Sequence, residues 1–178
     1  MSVLRKMAQI SVGAKLPLKV KLGFVPYTPE HENICSIGRP LQLDLSTIQG
    51  KKVVIVAAPG AFTPTCTERH IPPFVSEYSK LKAKGIDDIF IVTTDNPFVQ
   101  AAWGKALGNK GQLKFVSDPK GTFSAQLGLA NLDGDDYVVA RTLRYALVVD
   151  DGVVKYVGVE HGGSLDSSTL DAVLKFLN

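Results

Sequence analysis

Two apolar runs show no helical spacing and so mark buried strands: Lys52 to Ala57, and Ile89-Phe90-Ile91-Val92-Thr93. Continuous β-branched runs of this length suit strands covered on both faces. A third pattern, Arg144 to Val149 followed by Val153 to Val159, reads as a hairpin turning at Asp150-Asp151-Gly152. Between the first two strands, Phe74, Val75, Tyr78, Leu81 and Ala83 fall at helical spacing and stop at Gly85, while Pro72 and Pro73 reset the helix start. Asn96-Pro97 opens a second helix carrying Val99, Ala102, Trp103 and Leu107, and Leu113 to Val116 forms a short strand. Further helices are predicted over Thr122 to Leu129 and Ser168 to Phe176. Ahead of all this lie an extended stretch near 17–25, a polar loop with Pro26, Pro29 and Cys35, and a short turn or helix from Leu43 to Ile48. Strands alternating with helices and then a hairpin predict a three-layer α/β sandwich around a mixed sheet.

The 178 residues fit one domain, 1–178, and neither repeats nor low-complexity tracts divide them. Net charge is only +3 with acids and bases interspersed, which lacks the basic stripe that nucleic-acid binding needs. Two cysteines are too few for a disulfide-built secreted scaffold, and no apolar run is long enough for a signal peptide or membrane span. A reducing, cytoplasmic setting is the expectation. Arg5, Lys6, Lys15, Lys19 and Lys21 precede the first acid, Glu30, a bias that mitochondrial presequences share, although Gly13 and Pro17 interrupt it. The terminal Phe176-Leu177-Asn178 is not a peroxisomal signal of the Ser-Lys-Leu type.

Candidate chemistry centres on Cys66, in the run Pro59-Gly60-Ala61-Phe62-Thr63-Pro64-Thr65-Cys66 directly after the first buried strand. A strand-to-helix handover places this thiol in the first helical turn, where unpaired N–H groups and the helix dipole favour the thiolate. Pro64 suits that first turn, and Thr63 is a candidate cap whose hydroxyl could also reach the sulfur. The bland alternative is a buried structural thiol. Nucleophilic attack by such a sulfur needs a thiolate, alignment of the bond to be broken and donors for the charge on the leaving atom. A helix N-terminus, a hydroxyl and a guanidinium supply all three. Arg144 and Arg141 are the candidate guanidiniums, and the residue pattern leaves both open. His70, four residues after Cys66, has the spacing of a two-ligand zinc half-site, but Cys35, His31 and His161 are too scattered to complete it.

The Pro59-x-x-x-Thr63-x-x-Cys66 run resembles the active-site loop of peroxiredoxins, in particular the type 5 subfamily. Asp95-Asn96-Pro97-Phe98-Val99-Gln100-Ala101-Ala102-Trp103-Gly104-Lys105, Ser117-Asp118-Pro119 and Arg144-Tyr145-Ala146-Leu147-Val148-Val149 are similar to later blocks of that subfamily. The resemblance covers roughly residues 50–178 and leans towards fungal thioredoxin-dependent alkyl hydroperoxide reductases. It implies a thioredoxin-like fold and a thiol peroxidase acting on hydrogen peroxide and alkyl hydroperoxides, with no metal, haem or flavin. It implies Cys66 as the peroxidatic thiol, Thr63 and Arg144 as its donors, and Pro59 as a lid over the thiolate. Phe62, Pro97 and Trp103 would flank the site and a subunit contact, or simply serve as core and turn residues.

Oxidation leaves Cys66 as a sulfenic acid that a second thiol must resolve. Cys35 sits in a polar loop suited to a mobile, exposed thiol, unless it is a passenger surface cysteine. Its upstream position resembles the resolving cysteine of the fungal branch, and no cysteine follows Cys66. The resemblance implies a homodimer with a Cys35–Cys66 disulfide between subunits, reduced by thioredoxin. Three alternatives stand beside it: a one-cysteine cycle resolved by glutathione or glutaredoxin, a redox sensor or relay, and a thioredoxin-like binding module with an inert Cys66.

Overall fold

The computed structural model describes residues 7–133 and 140–178. Arg5 and Lys6 of the basic N-terminal stretch lie outside the described residues. Among those described, a seven-stranded mixed sheet runs in the order β2-β1-β5-β4-β3-β8-β9, from β1 (Leu22–Phe24), β2 (Leu41–Leu43), β3 (Lys52–Ala57), β4 (Asp88–Thr93), β5 (Lys114–Ser117), β8 (Tyr145–Asp150) and β9 (Val153–Val159). A two-stranded pair, β6 (Ala130–Asn131) with β7 (Arg141–Thr142), stands apart from it. The helices are α1 (Pro72–Ser76), α2 (Tyr78–Ala83), α3 (Pro97–Ala106), α4 (Thr122–Gln126) and α5 (Leu170–Leu177).

The central strands β3, β4 and β5 are parallel, and β8 closes antiparallel on β3 with Val56 opposite Ala146 and Ala57 opposite Tyr145. Alternation along β3 splits the core into two layers. Val53, Ile55 and Ala57 face a cluster that includes Phe123, Leu127, Tyr145 and Leu147. Val54, Val56 and Ala58 face the opposite cluster, with Cys66, Phe74, Leu81, Trp103, Ala146 and Val173. Cys66 is therefore on the face covered by α1, α2, α3 and α5, which Ala146 also lines.

Three expectations need correction. The extended stretch near 17–25 is a strand only over Leu22–Phe24, because that is where β2 and β5 supply backbone partners. The helix after Cys66 is reset at Pro72, as expected, but is also broken a second time, which was not expected. It bends at Ile71 before Pro72, which cannot donate to the preceding turn, and again at Glu77, whose φ of −117° and ψ of 20° leave the helical region. The helix expected to reach Leu129 ends at Gln126, since Gly128 turns to φ 68°.

Candidate active site

β3 delivers the chain into the 58–66 loop, and the loop is held from below by β4. Ala58 N donates to Val92 O at 2.9 Å, and Ala61 N donates to Asp95 Oδ2 at 2.7 Å. Thr93 Oγ1 fixes the same carboxylate oxygen at 2.9 Å. Phe62 then takes φ 57°, a left-handed conformation costly for a side chain of its size, and its ring stands 54% exposed. The helix opens at Pro64, and Thr63 O accepts its first bond from Thr67 N at 2.9 Å. The Thr63 hydroxyl turns back to donate to Gly60 O at 2.8 Å, so in this state it braces the loop, and its lone pairs remain to face a donor.

Cys66 begins a π-helical turn, Cys66–His70, closed by Ile71 N donating to Cys66 O at 3.1 Å. Widened turns of this kind recur at functional sites. The thiol is 1% exposed. Behind it, Trp103 of α3 donates its indole N–H to Thr67 Oγ1 at 3.1 Å and packs edge-on against Phe115, with ring centroids 5.7 Å apart. Trp103 is thus a core residue that also braces the turn carrying Cys66.

Arg144 immediately precedes β8 and, two residues before Ala146, shares the sheet face on which Cys66 packs. Its Nη1 donates to His70 Nδ1 at 3.0 Å. His70 sits four residues after Cys66 and is itself 1% exposed, with its ring edge-on to Phe74. The other ring nitrogen, Nε2, lies 3.1 Å from both Ser168 O and Ser168 Oγ. Both nitrogens are spent, which leaves His70 no lone pair for zinc. Among the described residues no group of three or more His, Cys, Asp or Glu side chains could hold a metal ion.

Burial is the main cause that lowers the His70 pKa, to about 4; the Ser168 bond opposes it and Arg144 adds to it. Ser168 is anchored in turn by Glu160, whose Oε1 accepts from Ser168 N at 2.7 Å and from Ser168 Oγ at 2.9 Å. Partial burial would raise the Glu160 carboxyl, but the bonds from Ser168, Ser164 and Asp166 outweigh it and bring the pKa down to about 2.

Arg141 is also drawn in. Its Nη1 donates to Pro59 O at 2.9 Å, so the two candidate arginines take different partners, Arg141 the loop and Arg144 His70. Pro59, Arg141, Arg144 and Glu160 line one pocket of about 240 Å³, and Cys66 lies buried outside its lining. The residue pattern left Arg141 open as an alternative to Arg144 and gave no sign of Glu160 or Ser168, which lie 94 and 102 residues from Cys66 and carry no motif.

Cys35 is exposed, beyond the 3₁₀ turn Pro29–Glu32. Its N–H donates to Asn33 Oδ1 at 2.8 Å, and Lys105 of α3 donates to Ser36 O at 2.5 Å and Asn33 O at 3.3 Å. The expected mobile loop is thus exposed but tethered.

Residues 18–174 match the redoxin family model. A putative peroxisomal peroxiredoxin of Lipomyces kononenkoae is 46% identical over 165 residues, spanning 92% of this chain and 98% of the relative. Peroxiredoxin-2E, a chloroplastic protein of Arabidopsis thaliana, is 39% identical over 173 residues, spanning 96% of this chain and 70% of the relative. Among solved structures, reduced Prx3 of Vibrio vulnificus in complex with hydrogen peroxide superposes with TM-score 0.83 at 34% identity, over 96% of this chain and 100% of that one. Peroxiredoxin 5 of Alvinella pompejana gives TM-score 0.74 at 27% identity, over 94% and 97%. The mixed sheet flanked by helices is accordingly the thioredoxin-like fold. With the Cys66 loop on its helix-covered face and relatives alike along nearly the whole chain, this protein belongs to the redoxin family as a type 5-like peroxiredoxin, a thiol peroxidase.

Proposed function

We propose that the protein reduces hydrogen peroxide and alkyl hydroperoxides through Cys66 and is recycled by Cys35 and thioredoxin. The observation that carries the reading is the Arg144 guanidinium, held by His70 one turn from Cys66 and on the sheet face where the thiol packs. In the first step the Cys66 thiolate attacks one peroxide oxygen. The O–O bond breaks, sulfur is oxidised to sulfenic acid, and the departing alkoxide or hydroxide takes a proton to leave as alcohol or water. Arg144 donates to the peroxide and to the growing negative charge, the Thr63 hydroxyl orients the incoming oxygen, and Pro59 limits water at the sulfur.

In the second step the Cys35 thiol displaces water from the sulfenic acid and forms a disulfide. A sulfur that is 1% exposed cannot meet another thiol where it stands, so the 64–70 turn must open first. We place Cys35 on the partner protomer of a homodimer. The tether to α3 and the exposure of Cys35 suit a thiol offered outward. Thioredoxin then reduces the disulfide by exchange, passing two electrons and two protons.

The test couples peroxide consumption to NADPH through thioredoxin and its reductase, for wild type, Cys66→Ser and Cys35→Ser, with non-reducing gels alongside. The expected result is turnover lost in both variants and a dimer-sized disulfide band in oxidised wild type alone. Thioredoxin-driven turnover that survives Cys35→Ser would replace this with the one-cysteine cycle. Wild type oxidised by stoichiometric peroxide but unable to turn over would make the chain a redox relay.

A further inference from the structure

We infer that His70 is a positioning residue: a neutral acceptor that fixes Arg144 beside Cys66 without cancelling the charge of its guanidinium. The inference rests on the peroxidatic reading of Cys66 given above. A guanidinium can only donate, so the contact from Arg144 Nη1 requires a bare lone pair on His70 Nδ1. The ring proton must then sit on Nε2, where Ser168 O and Ser168 Oγ both accept it. Ser168 Oγ spends its own hydrogen on Glu160 Oε1 at 2.9 Å, which turns its lone pairs to His70 and locks the tautomer.

The negative end of this chain is therefore set two hydrogen-bonded residues back from Arg144. Arginines in protein interiors are ordinarily held by carboxylates, and a carboxylate in direct contact would neutralise the field that Arg144 exerts on a nearby thiolate. An imidazole holds the fork in place and leaves that field intact. Glu160 fixes the geometry through Ser168 while its charge stays on the carboxylate.

The experiment uses the full chain with Cys35→Ser, so that Cys66 is the only thiol, and compares His70, His70→Asn, His70→Leu and His70→Asp. Asn keeps an acceptor oxygen where Nδ1 stands, Leu removes it at similar volume, and Asp adds a charge. Three readouts are taken: thiolate absorbance at neutral pH, the alkylation rate with iodoacetamide, and the second-order rate with hydrogen peroxide. Folding is checked by circular dichroism. His70→Asn should stay within about threefold of the parent, whereas His70→Leu and His70→Asp should fall at least ~10-fold in both rates, the equivalent of one lost charge-assisted hydrogen bond. Thiolate absorbance should drop most in His70→Asp.

Equal rates for folded His70→Leu and parent, or equal losses in His70→Asn and His70→Leu, would overturn the inference. Should the variants not fold, nitrogen NMR of the wild-type imidazole decides, since a neutral Nε2–H ring supports it and a protonated or Nδ1–H ring refutes it. Absence of any peroxide reaction in wild type would count against the peroxidatic reading alone, because the alkylation and NMR results still judge His70.

Discussion

The buried His70 makes a quantitative demand on the acid side of neutrality. Folded His70 must stay neutral to accept from Arg144, and its pKa lies at about 4 against 6.5 for the free side chain. Between those values the unfolded chain takes up a proton that the folded chain refuses, so stability is full above pH 6.5 and is lost as pH falls towards 4. At about 1.4 kcal/mol per pH unit the loss across the window is about 3 kcal/mol. A non-titrating His70→Asn variant should start less stable at neutral pH and then lose less. Urea unfolding followed by circular dichroism from pH ~7.5 to ~4.5 measures the gap between the two proteins, and titrations common to both drop out of the difference. The gap should move by between about 2 and 3 kcal/mol in favour of the variant over that range. Two curves that run parallel would refute the reasoning, because they would mean that His70 carries the same proton folded and unfolded.

Glu160→Gln should cost about 1 kcal/mol at neutral pH, the shift from 4.5 to about 2 being discounted for a carboxylate partly open to water. That advantage of the wild type holds above pH 4.5 and fades as pH falls towards 2; an undiminished gap at pH ~3 in urea melts would contradict it. In Gly60→Ala the new methyl would lie 2.7 Å from Arg141 Nη1 and 3.1 Å from Thr63 Cγ2, displacing the guanidinium from Pro59 O. Its kcat/KM for peroxide should fall by roughly 10-fold with little change in Tm, and unchanged kinetics would remove Arg141 from the site. Gly104→Ala would set a methyl 2.9 Å from the buried Phe115 ring. Overpacking of about 1–3 kcal/mol should outweigh the ~1 kcal/mol that alanine adds to a helix, so a urea midpoint above that of wild type would show the ring yielding freely.

What the sequence made legible follows from how local each signal is. β3, β4 and the β8–β9 hairpin are continuous apolar runs, and the structure places them within a residue of the expected ends. Cys66, Thr63 and Pro59 could be singled out together as candidates because they share one loop. Arg144 needed the family pattern, since a cation at the start of a strand reads equally well as a solvent-facing edge. The two breaks after Cys66 were half visible: Pro72 announces one, while Glu77 has no local reason to leave the helix. The Arg144–His70–Ser168–Glu160 chain was invisible, because it joins side chains separated by up to 98 residues. Only the folded sheet brings them together. Nor did the pattern show that Lys105 ties down the Cys35 loop, as lysine on a helix face ordinarily reads as solvated charge.

The chain contains a single tryptophan, and the structure bonds it to Thr67, the residue next to Cys66. Any opening of the Cys66 turn that moves Thr67 must change the surroundings of that one indole. Intrinsic emission therefore reports on the Cys66 turn without a label and without a second fluorophore of its kind to average over. Mixed rapidly with peroxide, the protein would display sulfenate formation and the later opening of the turn as successive changes in one optical trace.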